Sequence, residues 1–224
     1  MKSINQSSVQ DYYEKVLRDK SDNNENLFAS VSSVFAQLLS VINNDHPASL
    51  SAIDLGYGYG NYCLAMADKG FHVRAVDYVC TKYFHGRLQS LPESYDITIE
   101  QKDLNELSIS KHYDLVVCKD VLHFLNQVTV EKLLTQIADS ACTGACHFLT
   151  IFTDIKRCDS FGNALFLEKE ANYSQAVLCD LIQRVYVDWQ LDIYSELYKE
   201  SNRANPEHYY FRANRITVIA KKLP

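Results

Sequence analysis

The chain has 224 residues, long enough for one generous domain with a real core, and its 47% hydrophobic and 22% charged residues exclude wholesale disorder. With 22 basic against 28 acidic side chains the net charge is −6, and no Lys/Arg run occurs, so the basic footprint of a nucleic-acid partner is absent. No apolar stretch reaches the roughly 18 residues needed to cross a bilayer, and the polar residues 1–11 lack the apolar centre of a signal peptide. Seven scattered cysteines, none in a C-x-x-C, point to free thiols in a reducing cytoplasm; Cys142 and Cys146 lack the further ligands a metal needs, so no metal is expected.

In chain order, residues 1–10 read as a frayed start, and a short helix over 11–18 carries Tyr12, Tyr13, Val16 and Leu17. The best periodic helix follows: Leu27, Val31, Val34, Phe35, Leu38, Leu39 and Ile42 give one apolar stripe, and Asn43-Asn44-Asp45-His46-Pro47 ends it. Residues 50–55 form a buried strand that runs into Gly56-Tyr57-Gly58-Tyr59-Gly60, with a helix opening at Asn61. Glycines at alternate positions let the backbone turn sharply and approach a ligand closely, and the helix N-terminus presents free N–H groups. Gly70 stops that helix. A second strand over 71–76 ends in Asp77, where a carboxylate can accept hydrogen bonds from both ribose hydroxyls of an adenosine.

A helix over 81–91, closed by Pro92, leads to a third strand over 97–101 and then Lys102-Asp103-Leu104. The fourth strand, 113–118, is followed by Lys119-Asp120-Val121-Leu122-His123. Thr129 is the expected N-cap of a helix with Val130, Leu133, Leu134, Ile137 and Ala138 on one face. Gly144 then turns the chain into strand five at 147–152. Residues 153–164 read as the longest irregular piece. A helix over 169–183, strand six over 185–197 with Trp189 in the core, a polar turn over 198–212 and strand seven over 216–220 complete the chain.

The D-x-G-x-G-x-G pattern of Asp54, Gly56, Gly58 and Gly60 resembles the first motif of the class I S-adenosylmethionine (SAM) dependent methyltransferases. "YDLVV" followed by "VLHFL" resembles their fourth motif; the closest shape is the small-molecule tellurite-resistance and thiopurine-like group, and "YDLVVCKDVLHFL" (113–125), "FLEKE" and "RITVIAKK" are similar to segments of its tellurite-resistance members. Thr143-Gly144 departs from the Pro-Gly-Gly of many relatives. The resemblance implies a Rossmann-like α/β fold: a seven-stranded, mostly parallel sheet with an antiparallel strand seven, helices on both faces and additional N-terminal helices. It divides the chain into an N-terminal cap or lid, 1–45, and a methyltransferase domain, 46–224.

SAM is the implied cofactor and S-adenosylhomocysteine the product. Asp54, Gly56, Tyr57, Gly58 and Gly60 would hold the amino-acid end, Asp77 and Tyr78 the ribose, Asp103 and Leu104 the adenine. Lys119 and Asp120 would lie beside the methionine part. The implied reaction is in-line transfer of a methyl group to O, N, S or a metalloid of a small molecule, since neither the N/D-P-P-Y/F tetrad nor the Pro-Cys of macromolecular methylases occurs. His123, five residues beyond the fourth strand, is the candidate general base, with a cap or core histidine as the alternative; Tyr12 and Tyr13 are candidate lid residues. A SAM-fold enzyme of another reaction type or a non-catalytic partner subunit stays open, as does the choice between monomer and homodimer. A nicotinamide enzyme would need a third glycine at Asn61.

Overall fold

A computed structural model of the protein describes residues 2–22, 31–42, 50–91, 95–202 and 205–223. Within them the strands are β1 (Lys2–Ile4), β2 (Ser51–Leu55), β3 (His72–Asp77), β4 (Ile97–Gln101), β5 (Leu115–Lys119), β6 (Cys146–Cys158), β7 (Ala164–Leu167), β8 (Trp189–Asn202) and β9 (Asn205–Lys222). The helices are α1 (Gln6–Asp22), α2 (Ser33–Val41), α3 (Asn61–Asp68), α4 (Lys82–Gln89), α5 (Gln127–Ser140) and α6 (Gln175–Val185). One sheet runs in the order β4-β3-β2-β5-β6-β9-β8; its first five strands are parallel and β9 lies antiparallel between β6 and β8. This is the expected seven-stranded frame with a reversed last strand.

Alternation along the parallel strands splits the interior about them into two cores, because successive side chains point to opposite faces. Ile53, Val116 and Leu149 pack under α5 and α6, whereas Ala52, Leu115 and Phe148 pack under α2, α3 and α4. A strand covered on both faces needs apolar residues at nearly every position, which explains the uninterrupted Leu115-Val116-Val117-Cys118.

The expected elements differ from the observed ones in five places. The frayed start is instead β1, parallel to β7, followed by a 17-residue α1 whose first turn is capped by Asn5 Oδ1 accepting from Ser8 N at 2.9 Å. The irregular 153–164 is replaced by the far half of β6 and a hairpin into β7. The turn over 198–212 is replaced by the continuing β8–β9 ladder. The late helix begins at Gln175 behind Ser174, whose Oγ accepts from Val177 N. Asn126, not Thr129, caps α5: its Oδ1 accepts from Thr129 N at 2.9 Å. The expected helix start at Leu27, the 43–47 breaker and Pro92 lie outside the described residues.

One buried polar pair makes stability pH-dependent. His147, fully buried on β6, meets the Tyr186 hydroxyl through Nδ1 at 3.0 Å. Burial, with Lys222 nearby, pushes its pKa down to about 3. The folded protein thus keeps the ring neutral, while the unfolded chain takes a proton near 6.5. This contribution is whole above pH 6.5 and drains as pH falls towards 3. Replacing both partners, H147L/Y186F, should therefore reduce the acid loss by about 1.4 kcal/mol per pH unit between pH 6 and 4, read from urea midpoints. An unchanged slope would show that the imidazole gains a proton without unfolding.

Candidate functional site

The glycine turn joins β2 to α3 at the carboxyl edge of the parallel strands. Gly56, Gly58 and Gly60 have φ of +81°, +53° and +81°. A side chain at Gly56 would meet Val121 at 2.8 Å, and one at Gly60 would meet the Phe84 ring at 2.1 Å. At Gly58 nothing lies within 4 Å of where a Cβ would stand. Two glycines therefore let the chain pack, and the middle one leaves open space over a cleft of about 440 Å³.

Acidic groups anchor this turn. Asp77, nearly buried at the tip of β3, accepts from Gly58 N through Oδ2 at 2.8 Å and from Val79 N through Oδ1 at 3.3 Å. Burial raises its pKa, while those N–H bonds hold it down. Asp54, also buried, accepts from Cys63 Sγ at 3.1 Å. Burial pushes its pKa up to about 7, with Asp77 adding to the rise and the Cys63 bond and Lys119 opposing it. The cleft thus holds a carboxyl that titrates near neutrality.

Beyond β5, Asp120 has φ of +53° and is held from three sides. Its Oδ2 accepts from Lys119 Nζ at 2.5 Å and from Arg215 Nη2 at 3.2 Å; its Oδ1 accepts from Thr150 Oγ1 at 2.6 Å. Most of the lone pairs of this carboxylate are thus spent on fixing the chain just past the end of β5. Lys119, likewise, is engaged with Asp120. Next to Asp77, Tyr78 and Asp103 help to line a narrow slot of about 60 Å³ with Leu104, Asn105 and Leu125. That slot and the cleft share Asp77, Tyr78, Val121 and Phe124, so they adjoin.

Of the expected residues, Asp54, Gly56, Tyr57, Gly58, Asp77, Tyr78, Lys119 and Asp120 line the cleft, and Asp77, Tyr78, Asp103 and Leu104 line the slot. Gly60 sits beneath, against Phe84. Tyr13, on α1, faces the cleft and packs edge-on against Phe124 at 5.5 Å; Tyr12 is 57% exposed and lines only a neighbouring cavity. His123 departs most from expectation. It is 2% exposed, is absent from the cleft lining, and burial together with Arg157 pushes its pKa down to about 3. Such an imidazole is a poor base for a group in the cleft.

Several contributors escaped the sequence reading. Arg87, buried on α4, donates to the Tyr59 carbonyl and to Asn61 Oδ1 (2.7 Å) and stacks 4.6 Å from the Tyr59 ring, clamping the end of the glycine turn. Its place one turn beyond Tyr83 and Phe84, on the apolar side of the helix, was the available signal. Phe152, Tyr198 and Glu200 close the far side of the cleft from strands β6 and β8.

The cleft fits a nucleoside with an amino-acid tail. Asp77 retains lone pairs for a ribose diol after its two N–H bonds, Asp54 can face an ammonium group, and the buried Tyr57 hydroxyl has no protein partner. Among the described residues there is no group of three His, Cys, Asp or Glu side chains able to hold a metal, and no helix long and apolar enough to cross a membrane.

Comparison with known proteins agrees with this geometry. A family model described as "Tellurite resistance protein TehB" matches residues 22–216. "Hemagglutinin 1" of Eikenella corrodens is 22% identical over 78% of the chain and 55% of its own length. "Probable S-adenosyl-L-methionine-dependent methyltransferase TehB" of Haemophilus influenzae is 22% identical over 76% of the chain and 56% of its own. The chain thus spans about half the length of these curated relatives. The crystal structure of TehB from Haemophilus influenzae superposes with a TM-score of 0.66 at 16% identity, covering 95% of this chain and 66% of that one. The chain belongs to the TehB tellurite resistance protein family and has the class I SAM-dependent methyltransferase fold.

Proposed function

We propose that the protein is a SAM-dependent methyltransferase acting on a small-molecule acceptor. The observation that carries the reading is the convergence of Asp54, the glycine turn and Asp77 on one cleft at the carboxyl edge of the parallel strands. Asp77 would hold the ribose, Asp54 and the turn the amino-acid end, and the slot by Asp103 and Leu104 the adenine. When bound, SAM supplies a sulfonium-activated methyl group that passes to an acceptor lone pair, releasing S-adenosylhomocysteine.

What remains for the protein is alignment and exclusion of water. Helix α1 serves as the lid: Tyr13, Val16, Leu17 and Lys20 line the cleft from above. The Lys20 ammonium also lies 5.8 Å from the centre of the Tyr59 ring, which ties the lid to the glycine turn. Phe124 and Phe152 wall the side on which an acceptor would approach. The charge of −6 supports an acceptor other than nucleic acid.

Calorimetric titration with SAM and S-adenosylhomocysteine tests the reading, followed by assay of small-molecule extracts with methyl-labelled SAM. Saturable binding and transfer of label are expected; a folded protein that ignores both ligands would end the proposal.

Asp54 sets the pH profile of that binding. Its raised pKa means that the carboxyl is protonated below about 7 and must ionise before it can face an ammonium. Affinity for S-adenosylhomocysteine should weaken about tenfold per pH unit below 7 and flatten above it, until the ligand's own amine begins to deprotonate near 8. Asp54→Asn should remove this dependence. A flat wild-type profile between pH 5.5 and 7.5 would show that Asp54 does not meet the ligand's charge.

A further inference from the structure

Beside the cleft lies a second cavity, of about 360 Å³. The two meet at Tyr13, Phe124, Phe152 and Glu200, which line both. Its walls come from the elements that wrap this end of the sheet: Ile4 at the end of β1, Val9 and Tyr12 on α1, Leu165 on β7 and Phe211 on β9. Most of these side chains are aliphatic or aromatic, so the cavity suits a flat apolar body.

Its cation is already paired. Arg157 is the one cation among the described lining residues. Its Nη1 donates to Glu170 Oε2 at 2.6 Å, in a pair whose side chains are 13% and 7% exposed, and its guanidinium lies 5.0 Å from the Phe211 ring centre. Glu200 accepts through Oε1 from the Tyr198 hydroxyl at 2.7 Å. An anion entering here would find no unpaired positive group. A neutral ligand meets no such penalty.

One fully buried polar atom of this lining is left over. His123 lines the cavity with its ring 4.0 Å from that of Phe124 and 5.0 Å from that of Phe152, and its buried Nδ1 has no hydrogen-bond partner. Burial keeps the ring neutral at physiological pH. A neutral imidazole carries one donor and one acceptor nitrogen, so Nδ1 is unmatched in either tautomer; a hydroxyl, able to donate and accept, satisfies it in both.

We infer that this cavity seats the methyl acceptor as a neutral, flat aromatic molecule bearing a phenol-type hydroxyl, which His123 Nδ1 anchors by a hydrogen bond. The inference rests on the methyltransferase reading. Because His123 lines the cavity and not the cleft, the anchored hydroxyl is not the methylated atom. The accepting atom is at the other end of the molecule, where Phe124 and Phe152 open towards the cofactor site. His123 is thus a positioning group for the acceptor and not its base.

Fluorescence titration of the full chain, in the presence of S-adenosylhomocysteine, tests this with two probes that differ by one group: 2-naphthol and 2-methylnaphthalene. Wild type should bind 2-naphthol at one site and prefer it about tenfold, the factor of one net hydrogen bond. In His123→Leu the preference should vanish, while S-adenosylhomocysteine affinity and the thermal midpoint stay at or above wild type, since the variant removes an unmatched buried polar group. Cys158→Trp, which fills the cavity from its wall, should weaken both probes more than tenfold and leave S-adenosylhomocysteine binding intact. Sodium tellurite should not displace 2-naphthol.

A hydroxyl preference that survives in His123→Leu, or displacement by tellurite, would overturn the inference. Failure of both probes on a wild type that binds S-adenosylhomocysteine would overturn it alone. Failure of S-adenosylhomocysteine itself would overturn the methyltransferase reading and the acceptor role with it.

Discussion

Gly60→Ala should lower the unfolding free energy by about 2–5 kcal/mol, seen as a large drop in urea midpoint. About 1–2 kcal/mol comes from forcing a residue with a Cβ into φ of +81°. A further 1–3 kcal/mol or so comes from overpacking, because the new methyl would stand 2.1 Å from the Phe84 ring. Phe84 is fully buried and packs on Tyr57 with ring centres 5.2 Å apart, so it has nowhere to retreat. The double variant G60A/F84L should recover part of the steric loss and none of the backbone loss. Gly58→Ala is the contrasting case: its backbone is also left-handed, yet its Cβ would enter open space above the cleft. Its stability loss should be the smaller, and its effect on S-adenosylhomocysteine affinity the larger. Equal urea midpoints for Gly60→Ala and wild type would contradict the close approach of Phe84.

Asp77→Ala should weaken S-adenosylhomocysteine binding by roughly 1.5–3 kcal/mol, about ten- to a hundredfold and more in Kd by calorimetry. Two losses act together. The ribose loses a charge-assisted acceptor, and Gly58 N loses the carboxylate that fixes the middle of the glycine turn at 2.8 Å. Asp77→Asn keeps one acceptor oxygen and should lie between wild type and Asp77→Ala. Both variants should remain folded, since the residue sits at a strand end and not within a core cluster. Wild-type affinity in Asp77→Ala would mean that the nucleoside binds elsewhere.

The parts of this molecule that could be read before its structure are those governed by local rules. The glycine turn announces itself through spacing, and Asp77 through its position at the end of a strand. The strands β2, β3, β4 and β5 follow from short apolar runs between breakers, each within about two residues of its observed bounds. What escaped is determined by partners distant in sequence. Residues 2–4 form a strand because Leu165, Phe166 and Leu167 lie beside them, and no pattern within three residues could say so. The far half of β6 mixes Asp154, Lys156 and Arg157 with apolar residues, and it reads as a loop until Arg212 and Phe211 are set opposite it. His123 shows the same limit at the level of chemistry: its place in the chain suggested a base, whereas burial, which sequence does not display, makes it a weak one. Asp54 moves the other way. It was legible as a motif acid, but its titration near neutrality depends on a desolvated site assembled from three elements.

Strand β6 serves both the cleft and the second cavity, since Phe152 lines the two. Up to Thr153 its register against β9 is unbroken, and there it carries Thr150, which tethers Asp120. A bulge between Thr153 and Lys156 resets the register before Arg157 and Cys158 reach the second cavity. Insertions or deletions beyond that bulge can be absorbed in the turn at 159–163 without sliding the ladder beneath the cofactor cleft. A change in the length or lining of the distal hairpin therefore alters the second cavity and leaves the ladder beneath the cleft in register.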